Sequence, residues 1–211
     1  MTALPTFLQP AAHSQTSDLG GGPSDAQLSE ARAVESFEMI CQEDEQWCWA
    51  AVTQAVERWH NTTVSQTDVA SYHAGTDAKV PPPNDCEDRL CGLGPSNTHR
   101  LSKVLSERKL LGKVTQSAPR FEDIKRVIGE QRPLPVRIKW NGDGGHFLCI
   151  SGYSEDSKGR QRVKVHDPLV PGVRQGSVDV QTIPFQKFVE KYGEQRGQNG
   201  TPDLFYEVVQ R

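Results

Sequence analysis

A change of hydrophobic period at Pro133 divides this chain and leaves few architectures open to it. Before that point apolar residues recur at intervals of three and four: Ala51, Val52, Ala55, Val56 and Trp59, then Leu101, Val104 and Leu105, then Phe121, Ile124, Val127 and Ile128. This is the spacing of helix faces turned to a core. After it the apolar residues alternate. Val136, Ile138 and Trp140 share one face of a strand, and further strands are predicted at 146–153, 160–167, 177–183 and 204–209. A short helix with Phe185, Phe188, Val189 and Tyr192 stands between the last two. Helices first and antiparallel strands afterwards predict an α+β protein, with a helical lobe at about 42–130, a β-lobe at about 133–211 and a cleft where they meet.

Local signals mark several boundaries. Ser65 with Asp68 three residues on predicts a capped helix start, with Val64 and Val69 as a hydrophobic staple and Gly75 as the stop. Another helix is expected from Ser96 or Asn97, and one more between Pro119 and Gly129. Residues 36–41 alternate weakly, as a short strand would, and residues 76–95 read as an ordered loop. Residues 1–34 mix Ser, Gln, Thr, Pro and Gly without an apolar period, which reads as a disordered leader or linker ahead of a domain at 35–211. The triplet Gly20, Gly21 and Gly22 reads as flexible linker rather than as a self-processing site.

A net charge of -3 over 211 residues gives no drive toward nucleic acid or an anionic membrane. No apolar run approaches the roughly 20 residues that cross a bilayer. The first residues lack a basic start and a continuous apolar stretch, so the expected location is cytoplasmic, or outside the cell by a route other than the general secretory one. Five cysteines are an odd number, too few for a scaffold built on disulfides.

The chemistry begins at Cys48. It stands where the polar, acidic run Glu43, Asp44, Glu45 gives way to a helical pattern, hence within the first turn of a helix, where negative charge is stabilised. A hairpin turning over 154–159 sets residue 153 opposite 160, and so His146 opposite Asp167, with Cβ atoms roughly 5 Å apart. An aspartate bonded to an imidazole is the base and its orienting group in nucleophilic catalysis.

These residues, in the settings Trp47-Cys48-Trp49, Gly145-His146-Phe147 and His166-Asp167-Pro168, resemble the papain-like cysteine proteases. The likeness is greatest to the bacterial branch with avirulence-type effector proteases, and it covers about residues 36–209. The resemblance implies a papain-like fold with the active site between the lobes, and Cys48, His146 and Asp167 as a catalytic triad. It implies Gln42, six residues before the cysteine, as the oxyanion donor together with the Cys48 N–H. Gln46 competes for that role but would sit almost on the helix itself. The implied activity is cleavage of peptide bonds in a protein or peptide substrate through an acyl-enzyme, with no cofactor. The same triad also serves deamidation, transpeptidation and isopeptide cleavage, and the fold without catalysis would make a binding module. Two features depart from the plant and lysosomal members: positions 45–47 read Glu-Gln-Trp, and only 98 residues separate Cys48 from His146. The acidic run at 43–45 opposes a thiolate unless it points away, which leaves activation to His146.

Other groups carry less. Cys86 and Cys91 with His73 and His99 have loose spacing for zinc, so a disulfide or two ordinary thiols is the better reading and no metal is expected. Cys149 reads as core, and His60 and His166 as surface or supporting residues.

Overall fold

In the computed structural model, which describes residues 28–44, 46–74, 98–141, 144–169, 178–194, 197 and 199–211, the helical period becomes α1 (Cys48–Trp59), α2 (Gln66–Ala74), α3 (Thr98–Glu107) and α4 (Phe121–Gly129). The strands are β1 (Leu28–Ala33), β2 (Leu111–Thr115), β3 (Leu134–Trp140), β4 (Gly145–Asp156), β5 (Gln161–Asp167), β6 (Asp179–Pro184) and β7 (Gly200–Val208), with α5 (Phe185–Lys191) before the last. The α+β class expected from the period change is the class observed.

Helix α1 is central. Its apolar stripe is buried, and so are Ala50, Thr53 and Glu57 on its other sides, so neighbours enclose it nearly all round. The polar members are satisfied: Thr53 Oγ1 donates to the Trp49 carbonyl at 2.8 Å, and Glu57 pairs with Arg108 just beyond α3. Helix α2 opens with the expected cap, Ser65 Oγ accepting the Asp68 N–H at 3.0 Å while Asp68 Oδ2 accepts the Ser65 N–H at 3.2 Å. In α4, Phe121, Ile124, Val127 and Ile128 are all buried, as their spacing requires.

The strands form one antiparallel sheet in the order β2-β7-β3-β4-β5-β6. Strand β4 is twelve residues long and outlasts β3, which pairs with Gly145 to Ile150; β1 takes up the same side of β4 from Gly152 to Asp156. Lys125 of α4 holds β1 there through an ion pair with Glu30 at 2.6 Å.

Four expectations are corrected. Residues 28–33, assigned to a leader over 1–34, form a sheet strand that covers the edge of β4 beyond β3, and Val34 after them is buried; residues 1–27 lie outside the described residues. Residues 36–41 are not a strand: Phe37 and Met39 are buried and Glu38 is exposed, but no ladder pairs them. The part of the chain expected to be wholly helical contains β2, which follows α3 and pairs with β7 from the far end of the sequence. The hairpin register also differs. Strand β4 runs on to Asp156, whose Oδ1 accepts the N–H groups of Lys158 and Arg160, both at 2.9 Å, and Gly159 adopts φ +72°. Tyr153 therefore faces Val163 rather than Arg160.

Candidate active site

Two corrections to register combine to bring His146 and Asp167 together. Near the turn Tyr153 pairs with Val163, a register that, continued unbroken, would set Asp167 opposite Cys149 and on the face away from His146. Between Ile150 and Gly152 the register shifts by one residue, so that Ile150 faces Val165 and Cys149 faces His166. Continuing from there, Asp167 falls beside Leu148, two residues from His146 and on its face. The main-chain partner of His146 is Ile138 of β3, not Asp167. The side chains still meet, diagonally: His146 Nε2 and Asp167 Oδ1 are 2.6 Å apart.

Asp167 is buried and well supplied with donors. Oδ1 also accepts the Leu169 N–H at 2.9 Å, and Oδ2 accepts the Tyr192 hydroxyl at 2.7 Å. Burial pushes the carboxyl up, but the charge and hydrogen bond of His146, the Leu169 N–H and the Tyr192 hydroxyl hold it below its ordinary value. For His146, burial disfavours the cation; the charge and hydrogen bond of Asp167, followed by those of Cys48, outweigh it and raise the ring to about 10. With Nε2 on Asp167, the other ring nitrogen is the one left to meet the sulfur. A protonated ring beside Cys48 is the partner a thiolate nucleophile requires.

Cys48 is the first residue of α1, after Trp47 at the N-cap. Its N–H therefore has no acceptor within the helix and points out of the N-terminus. The preceding segment folds back beneath it. The Asp44 carbonyl accepts both the Trp47 N–H at 3.1 Å and Gln42 Nε2 at 2.8 Å, so the Gln42 amide lies against the start of α1. The Gln42 N–H donates to the Pro168 carbonyl at 3.0 Å, tying this segment to the residue after Asp167. Gln42 is buried, whereas Gln46 is exposed. Of the acidic run, Glu43 is exposed and Asp44 Oδ1 accepts the Gln46 N–H at 2.9 Å; residue 45 lies outside the described residues.

Three features escaped the sequence reading. Gln66, fully buried at the start of α2, accepts the Glu43 N–H at 2.9 Å and donates to the Cys41 carbonyl at 2.7 Å, so it grips the chain on both sides of Gln42. Trp140 stacks on the His146 ring, with centroids 6.0 Å apart and planes 16° apart. Tyr192 supplies the second anchor of Asp167. The signal available for Tyr192 was a phenol on a buried helix face, since such a hydroxyl needs a partner.

Three other candidates, Cys149, His166 and His60, are among the described residues. Cys149 is a fully buried free thiol whose burial pushes it well up. His166 is buried on Ser151 Oγ at 2.7 Å, and burial followed by the charge of Lys164 lowers it to about 4. His60 is half-buried after α1. Cys86, Cys91 and the side chains of His73 and His99 lie outside the described residues, as do Gly20, Gly21 and Gly22. Among the described residues no group of His, Cys, Asp and Glu could hold a metal, and no helix is long and apolar enough to cross a membrane.

No curated protein sequence matches this chain. Among solved structures, the chain is similar to the peptidase domain of Streptococcus ComA, a bifunctional ABC transporter involved in a quorum-sensing pathway. The TM-score is 0.47 and the identity 12%, over 83% of this chain and 99% of that one. Residues 34–200 match the Peptidase C39 like family. With most of its length matched, the chain belongs to that family and is a cysteine peptidase.

Proposed function

We propose that the chain cleaves peptide bonds in protein substrates with Cys48 as nucleophile, His146 as acid and base, Asp167 as the group that orients His146, and Gln42 with the Cys48 N–H as oxyanion donors. The observation that carries this reading is the buried His146 ring, held by Asp167 at 2.6 Å and raised by the charge of that carboxylate and, after it, by Cys48. The sulfur attacks the carbonyl carbon, and the developing oxyanion meets the Gln42 amide and the Cys48 N–H. The C–N bond breaks as His146 gives its proton to the leaving amine. Water, deprotonated by His146, then opens the thioester and returns the thiol. Gln42 Nε2 keeps one N–H on the Asp44 carbonyl, which aims the amide and leaves its second N–H for the oxyanion. On the likeness of its motifs, the chain stands beside the bacterial effector-type branch.

Incubation of the full chain with fluorescein-labelled casein and a proteome-derived peptide library tests the reaction. Cys48→Ala and His146→Ala are expected to abolish cleavage, and iodoacetamide to label Cys48 selectively and in a manner dependent on His146. Full activity in Cys48→Ala would end this reading. Release of ammonia without new termini would reassign the same centre to deamidation.

A further inference from the structure

We infer that Tyr192 is a positioning residue, acting on the reacting atoms through Asp167, and that Trp140 and Gly200 build the seat that holds it. This rests on the reading above, in which Asp167 orients His146. A carboxylate held through one oxygen can still turn about its own bond. Here Oδ1 faces His146 Nε2 and the Leu169 N–H, while Oδ2 accepts the Tyr192 hydroxyl at 2.7 Å, so both ends are engaged and the plane is set.

Tyr192 is itself pinned. It follows α5, and its main chain exchanges two hydrogen bonds with Gly200 at the start of β7, Tyr192 N–H to the Gly200 carbonyl at 2.9 Å and Gly200 N–H to the Tyr192 carbonyl at 3.0 Å. Trp140 lies by both rings: its centroid is 6.0 Å from that of His146 and 6.5 Å from that of Tyr192, with interplanar angles of 16° and 23°. The indole occupies this place because residue 200 has no side chain, a Cβ there falling 2.5 Å from Trp140 Cε3. Phe188 meets the Tyr192 ring edge-on at 5.8 Å. Burial, then the charge and hydrogen bond of Asp167, raise the Tyr192 phenol far above its ordinary range, so it stays a donor at every working pH. Among the described residues, His146 from β4 and Asp179, its main-chain partner on β6, are further titratable groups at Asp167.

The test is Tyr192→Phe, made in the wild-type chain and again in Asp167→Asn. Phenylalanine keeps the ring in its stack and removes one hydroxyl. Two readouts are followed against pH: hydrolysis of fluorescein-labelled casein, and the rate at which iodoacetamide alkylates Cys48. In the wild-type background kcat is expected to fall on the order of tenfold, the effect of losing a hydrogen bond to a charged group, with KM unchanged. Both limbs of the alkylation profile move to higher pH, because an Asp167 deprived of a donor holds its own proton and that of His146 more tightly. In Asp167→Asn the added Tyr192→Phe changes neither readout by more than about twofold. An equal effect in both backgrounds, with unmoved limbs, overturns the inference. That outcome is separable from failure of the peptidase reading, in which Cys48→Ala stays active; an inactive Cys48→Ala with an uncoupled Tyr192→Phe removes only the role of Tyr192.

Discussion

A methyl group placed on residue 200 tests the packing on which the site depends. At Gly200 a Cβ would lie 2.4 Å from Ile138 Cγ2 and 2.5 and 2.7 Å from Trp140 Cε3 and Cζ3. Carbon atoms in contact rest roughly 3.5–4.0 Å apart, so something must give by about 1 Å or more. Two routes are open. Either β7 moves off β3, where Gly200 pairs with Trp140, or the indole swings off the His146 ring. Overpacking of this kind destabilises by ~1–3 kcal/mol. For a chain of this size each kcal/mol lowers Tm by roughly 2–4 °C, so Gly200→Ala is expected to unfold about 2–12 °C below the wild type. Displacing the His146 ring by the order of 1 Å can lower the rate by up to ~10²-fold. The assay is thermal unfolding by circular dichroism beside casein hydrolysis. Gly129→Ala is the matched control: its Cβ would meet nothing within 4 Å, and alanine in a helix is better than glycine by up to ~1 kcal/mol. A Gly200→Ala protein with wild-type Tm and wild-type kcat would refute the packing argument.

Four further outcomes are expected. Gln42→Ala lowers kcat by ~10²–10³-fold while folding normally, the loss of one oxyanion donor, read by steady-state hydrolysis; undiminished turnover would remove Gln42 from the reaction. Gln66→Ala frees the chain on both sides of Gln42, so kcat falls although residue 66 is not assigned to the chemistry; a Gln42→Ala, Gln66→Ala double variant no slower than Gln42→Ala alone would show the two acting together. His146 is raised to about 10 against an unfolded value near 6.5, so the native state holds its proton after the unfolded chain has released it. Its stabilisation is thus complete below pH ~6.5 and is lost as pH rises toward 10, and a Tm series over that window should fall in wild type and flatten in His146→Gln. Glu207, held below its ordinary value by a hydrogen bond from Arg126 and, after burial, by the charges of Arg126 and Arg132, contributes stability that is present above its unfolded value and lost on acidification. Glu207→Gln should lower Tm at pH 7 and leave it nearly unchanged at pH 3.

The elements were legible wherever burial is one-sided and the period long. In α1 and α4 every apolar position picked from spacing is buried, because a helix face repeats often enough to stand above chance. The Ser65 cap was legible for a different reason: its partners are three residues apart, so the hydrogen bonds are written locally. Strand β2 was not legible. Its five residues show no strong alternation, and they are a strand because β7, almost a hundred residues on, offers them a ladder. The same holds for β1, in a segment whose composition resembles a leader. At residues 36–41 the alternation was real and the inference from it wrong, since facing inward at every second residue does not supply a partner strand.

For the site the division runs differently. Cys48 at the start of a buried helix, a strand opening near His146 and an aspartate at the end of the next strand were all determined by the sequence, since side-chain chemistry and local period are properties of neighbours along the chain. The sequence reading put His146 and Asp167 on one face through a hairpin register the protein does not adopt; how they come to share that face was decided only in the tertiary structure, by a one-residue shift near Ser151, because sheet side chains alternate and a single added residue moves everything beyond it to the other side. So were the places of Tyr192, Trp140 and Gln66, whose partners lie 25, 6 and 25 residues away in the chain and meet them through packing and hydrogen bonds that no local pattern encodes.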